Sequence, residues 1–159
     1  MKLADYSTVV DAAKTVGEIQ AMLQAHGAKS VMVGYADKEP VGLSFLIDLP
    51  QGDLSFRLPA NIEKVAKVIS SARIRGRYNI GNQEKDKKQA SRVAWRILRD
   101  WVRAQLAIIE TEMVTLDQVF LPYMQVGESG RSFYEVMQTR LLQLSAGKEH
   151  ENDKTIDRE

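Results

Sequence analysis

The stretch Q-E-K-D-K-K-Q-A-S-R-V-A-W-R-I-L-R-D-W-V-R-A-Q-L-A-I-I-E-T-E-M, Gln83 to Met113, decides the fold. Apolar residues fall at Ala90, Val93, Ala94, Ile97, Leu98, Trp101, Val102, Leu106, Ile108 and Ile109, mostly three or four apart. That is the period of a long helix with a buried face, and the face needs other elements over it. A second series, Lys85, Lys88, Arg92, Arg96, Arg99 and Arg103, steps by three or four and aligns as a cationic ridge on the same rod. Asp86 and Asp100 interrupt it, and Asp100 is placed to pair with Arg96 or Arg103.

Extending back through R-I-R-G-R-Y-N, the interval from Arg73 to Arg103 holds ten Lys/Arg against Glu84, Asp86 and Asp100. The interval carries +7 in a chain whose total is +1, so the remainder carries −6. A concentrated positive surface on a nearly neutral protein steers anionic ligands through its local field. The competing reading is solvation, since exposed helical faces commonly carry charge runs with no ligand.

Working outward toward the N-terminus, the first dozen residues carry no clear pattern. Thr15 and Glu18 then have capping-box spacing, Val16, Ile19, Met22 and Leu23 share a face, and Gly27 is placed to end a helix from Val16 to about His26. Three alternating runs follow, Ser30–Tyr35, Val41–Ile47 and Leu54–Leu58, separated by polar turn-rich segments. They predict a three-stranded antiparallel meander with Val41, Leu43, Phe45 and Ile47 on one face, Leu54, Phe56 and Leu58 likewise, and Ser44, Ser55 and Arg57 outward. Asn61 caps a second helix carrying Ile62, Val65, Ala66, Val68 and Ile69, and Arg73–Asn82 reads as a loop into the long helix.

Beyond the long helix, Thr115 and Gln118 repeat the capping-box spacing before a short helix stopped or bent by Pro122. Gly127–Gly130 reads as a turn. Ser132 and Glu135 form a third box, opening a helix from Phe133 to about Leu144. The polar run K-E-H-E-N-D-K-T-I-D-R-E reads as a tail, so the predicted organisation is one domain over 1–146 and a tail over 147–159. The fold class expected is α+β: helix and meander packed with the long helix and C-terminal helices.

Composition narrows the chemistry. With 159 residues, 44% apolar and 27% charged, the chain is long enough to bury a core without metal or crosslinks. It has no cysteine, which excludes disulfides, thiolate metal sites and a cysteine nucleophile. Acids at Asp5 and Asp11, and no apolar run of signal or membrane-spanning length, predict a cytoplasmic protein away from the membrane. His26 and His150 lack partners at ligand or triad spacing, and Glu110 and Glu112 point to different sides of a helix. G-R-Y-N-I-G, from Gly76 to Gly81, lacks the Lys-Ser/Thr of a phosphate-cradling loop. No catalytic set, metal site or cofactor is therefore expected.

What remains is binding. Guanidinium groups take phosphates through paired hydrogen bonds and a tyrosine stacks on a base, so the expected ligand contacts are Arg73, Arg75, Arg77, Tyr78, Asn79, Arg92, Arg96 and Arg99. The ligand would be nucleic acid or a nucleotide. Trp101 lies in the apolar series and reads as core. Trp95 reads as a second packing seam, including one for self-association, or as a stacking residue, which with Arg103 makes a candidate partner interface. Two apolar or aromatic faces predict a homo-oligomer.

The run Trp95 to Tyr123, W-R-I-L-R-D-W-V-R-A-Q-L-A-I-I-E-T-E-M-V-T-L-D-Q-V-F-L-P-Y, resembles a family of small, mostly uncharacterised accessory proteins encoded by tailed bacteriophages and prophages. The likeness extends to V-G-E-I-Q-A-M-L-Q-A-H-G-A, Val16 to Ala28, and spans about Thr15 to Val136. Its motifs are packing and turn residues, so it implies context and no catalytic residue. That context is an early-region protein for DNA recombination, takeover of the host or evasion of its defences. Two functions are thus expected as alternatives: a non-enzymatic binder of a phosphate-bearing ligand, or a module that inhibits or recruits a host or phage protein through the Trp95 face.

Overall fold

The computed structural model describes residues 3–49, 52–74, 83–127 and 129–153. Helix α1 (Ala12–Ala25) leads into the antiparallel meander β1 (Ala28–Ala36), β2 (Glu39–Leu49) and β3 (Gly52–Leu58), with β2 central. Helix α2 (Ile62–Ile74) precedes the long α3 (Gln83–Glu110). There follow the short α4 (Leu116–Phe120), a 3-10 turn (Leu121–Tyr123), the hairpin β4 (Gln125–Val126) and β5 (Arg131–Ser132), and α5 (Phe133–Asp153). The α+β architecture and the long helix are as the periodicity predicts.

The core forms where α1, α3 and one face of the sheet meet. Val16, Ile19 and Leu23 from α1, Leu43, Phe45, Ile47, Phe56 and Leu58 from the sheet, and Trp95, Leu98, Val102 and Leu106 from α3 are buried together. Phe120 closes the cluster from α4. Its ring meets Phe45 edge to face at 5.3 Å and Trp101 at 5.6 Å, while Phe45 stacks on Phe56 at 5.2 Å. These are the favoured aromatic geometries, and they fix the C-terminal segment to the sheet.

Several local expectations are corrected. Asp11, not Thr15, caps α1: its carboxylate accepts from the Ala13 N–H at 3.0 Å, while Thr15 is buried and its hydroxyl donates to the Asp11 carbonyl. Val41 is exposed although Leu43, Phe45 and Ile47 share the buried face. Gly34 pairs with Gly42 but Tyr35 with Pro40, so Val41 is the extra residue of a bulge, and beyond it the buried position passes to Pro40. Where the sequence carries no clear pattern, the Gln89 amide donates to the carbonyls of Tyr6 and Thr8 and ties that segment to α3. Helix α5 continues past Gly147 to Asp153, where a tail is expected; Lys and Glu are good helix formers.

The other caps hold. Asn61 accepts from Lys64 N–H at 3.0 Å, Gln118 accepts from Thr115 N–H at 2.9 Å, and Ser132 and Glu135 cap each other reciprocally at 2.8 and 3.2 Å. Gly127 and Gly130, both at positive φ, lie between the strands of a small hairpin, each of two residues and too short to show an alternating pattern. Through an isolated bridge from Met124 to Phe56, that segment covers the outer edge of β3.

His26 gains partners that its spacing does not reveal. Its Nδ1 lies 2.7 Å from the Met22 carbonyl and its Nε2 2.9 Å from the Glu110 carboxylate, joining the end of α1 to the end of α3. Both neighbours are acceptors, so only the imidazolium satisfies both. The Met22 carbonyl, more than Glu110, raises the His26 pKa, against partial desolvation. A folded pKa above the unfolded value gives stability that is complete below the ordinary 6.5 and lost as pH rises through the raised value. The Glu110 side chain is 65% exposed, so the expected loss is a fraction of a kcal/mol. Urea midpoints should drift down across that window in the wild type and stay flat in His26→Gln; equal slopes would contradict the pairing.

Candidate anion-binding site

Helix α3 carries the ridge, and its neighbours decide which cations are open. In the middle of the ridge, Glu18 of α1 lies 3.4 Å from the Arg96 guanidinium and 3.8 Å from Arg99 Nε, and Arg99 also reaches Asp100 at 2.9 Å. The Arg96 and Arg99 side chains are only 24% and 14% exposed. They are committed to holding α1 on α3. The expected continuous ridge is therefore interrupted, with Arg103 left exposed at its far end.

One turn before Arg96 the situation differs. Lys88 and Arg92, four residues apart and hence on one face, line a cleft of about 100 Å³ together with Asp11, Ala12 and Glu39. Among the described residues, neither cation has an ion-pair or hydrogen-bond partner within bonding distance. The start of α1 and the start of β2 form the opposite wall. One Asp11 oxygen is engaged by the Ala13 N–H, so this acid is fixed as a cap. The cleft thus offers two open cations beside two carboxylates.

Comparison with family models, curated proteins and solved structures returns no match. The site is read from its own chemistry.

Of the expected ligand residues, Arg92 lines the cleft, whereas Arg96 and Arg99 are turned to Glu18. Arg75, Arg77, Tyr78 and Asn79, and the Arg73 side chain at the end of α2, lie outside the described residues. The partner-interface expectation for Trp95 is overturned. Trp95 is fully buried, and its indole N–H donates to the Pro40 carbonyl at 3.0 Å, so it bridges α3 to the start of β2. Trp101 is the partly buried one, edge-on to Phe120 and Tyr123 at the margin of the core. Trp95 and Arg103 do not share a surface.

Asp11 and Glu39 are the cleft residues that the sequence pattern does not single out. Asp11 had a legible signal, since an Asp before the apolar series of α1 is a cap candidate. Glu39 had none, because only the hairpin's path brings it opposite α3. Among the described residues no group of His, Asp or Glu has the makings of a metal site, and no helix is long and apolar enough to cross a membrane.

Proposed function

We propose that this protein binds a phosphate-bearing ligand, nucleic acid or nucleotide, without transforming it, and that Lys88 and Arg92 hold the phosphate. What supports this is the pair of open cations on a cleft, beside a stretch of the ridge whose Arg96 and Arg99 are already matched by acids. Two like charges on adjacent turns repel, and an anion between them relieves that repulsion. Asp11 and Glu39 refine the ligand's chemistry. They oppose a bare polyanion but accept hydrogen bonds from ribose hydroxyls, so a nucleotide unit suits the cleft better than inorganic phosphate.

The cleft is far smaller than the roughly 300–1,000 Å³ pockets that enclose a drug-sized ligand. It would hold one phosphate and part of its sugar, with the rest of the ligand lying over the exposed Lys85 side of α3. A short single-stranded segment suits such a cleft best. The likeness of Trp95–Tyr123 to phage-encoded proteins favours a role for such binding in nucleic-acid handling or defence evasion inside a host cell.

Binding of a short single-stranded oligonucleotide across ionic strength tests this. Two phosphate contacts give a slope of log K against log salt of about −1.4, following the roughly −0.7 per contact of single strands. A slope several times steeper would require the whole ridge and contradict the two-cation site. No binding of oligonucleotides or of mononucleotides would remove the proposal.

A further inference from the structure

The two edges of the sheet are treated differently. The β3 edge is covered by Met124, whereas among the described residues the outer edge of β1 has no strand beside it. An edge strand presents unpaired N–H and C=O groups, and soluble proteins usually blunt it with a charge, a proline or a cover. From Ala28 to Ala36, A-K-S-V-M-V-G-Y-A, there is no proline and one charge, and the one bulge on this strand, at Lys29, lies near its start and leaves Ser30–Gly34 regular. That charge is spent, because Lys29 reaches across the sheet to the Asp53 carboxylate at 2.9 Å.

The strand is also self-complementary. Run antiparallel to itself about Met32, its regular part sets Val31 opposite Val33 and Ser30 opposite Gly34, apolar against apolar and small against small, with Lys29 opposite Tyr35 at the bulge. No like charges face each other across the axis. Met32, 65% exposed on the face away from the core, and the half-buried Val31 and Val33 on the core side would each gain cover.

From this edge we infer that the occupant of β1 is a second copy of β1. The two would be related by a two-fold axis at Met32, joining two meanders into one six-stranded antiparallel sheet. Such an isologous contact closes after two chains, and the bridge from Met124 interrupts the other edge at Phe56. The proposal is independent of the ligand: the axis lies on β1, whereas the cleft lies between α1, β2 and α3.

The chain has no cysteine, so Met32→Cys introduces a single thiol. Directly opposed residues of an antiparallel pair sit about 4.5–5.5 Å apart at Cα, within disulfide range. Mild oxidation of Met32→Cys should convert most of the protein to a covalent dimer, whereas the exposed control Val68→Cys should stay largely uncrosslinked. Sedimentation should give a dimer for the wild type and monomers for Met32→Lys and Met32→Glu alone. An equimolar mixture of those two should recover the dimer, because opposite charges then face across the axis. A monomeric wild type, a dimer that survives Met32→Lys, or equal crosslinking of both cysteine variants would overturn the pairing; a monomer bound by a foreign peptide along β1 would reassign the edge to another chain.

Discussion

Trp95→Ala is expected to lower the unfolding free energy by about 3–5 kcal/mol, the usual cost of removing a buried aromatic side chain. The side chain is fully buried, and it is the largest in the core to be so. Its loss removes packing between α3 and the sheet and also the indole donor to the Pro40 carbonyl. Trp95→Phe separates the two effects. It keeps most of the ring volume but leaves the carbonyl without its donor, a cost of about 1–3 kcal/mol. Against a typical total of about 5–15 kcal/mol, the alanine variant should be marginal at physiological temperature. Denaturant unfolding of both variants checks the ordering, and an unshifted midpoint for Trp95→Ala would mean that the indole does not anchor α3. Any partner lost on Trp95→Ala would be lost through unfolding, not through a missing surface contact.

The second large effect concerns the cleft. Lys88→Glu combined with Arg92→Glu should reduce affinity for a short single-stranded oligonucleotide about 100-fold or more. Two charge-assisted hydrogen bonds of about 1.5–3 kcal/mol each disappear, and the new acids stand beside Asp11 and Glu39. Stability should change little, because neither cation has a partner among the described residues to lose. Arg96→Ala should behave in the opposite way. It removes the shorter of the two contacts by which Glu18 holds α3, leaving the one to Arg99 and lowering stability slightly, and leaves affinity within about threefold, since a paired arginine has little to offer a ligand. Calorimetric titration beside a denaturant curve for each variant reads both quantities. Equal affinity losses in the two variants would return the ridge as a whole to the role proposed for its first half.

The sequence carried the elements well because their signals are local. The three-to-four spacing of α3, the alternation of the strands and the caps at Asn61, Thr115 and Ser132 each depend on residues within a turn or two. What failed depended on contacts distant in sequence. The two tryptophans lie about 120° apart around α3, and both are compatible with a core. Only the placement of β2, through Pro40, decides that Trp95 is the buried one. The bulge at Val41 shifts the alternation by one residue, which a strict period of two does not anticipate. The ridge was legible as a ridge, but Glu18, 78 residues before Arg96, removes its middle from the surface, and no spacing rule shows that. Thr15 and Glu18 imitate a capping box by spacing alone, for Thr15 is buried inside α1 and Glu18 binds the arginines.

The most direct test maps a ligand onto the protein residue by residue. Backbone amide resonances would be followed by two-dimensional NMR as a short single-stranded oligonucleotide is added. Shifts concentrated at Asp11–Ala12, Glu39 and Lys88–Arg92, with α5 and the sheet face away from the core unmoved, are the predicted result. Saturating binding that leaves Lys88–Arg92 unshifted, or shifts centred on another surface, would contradict the site.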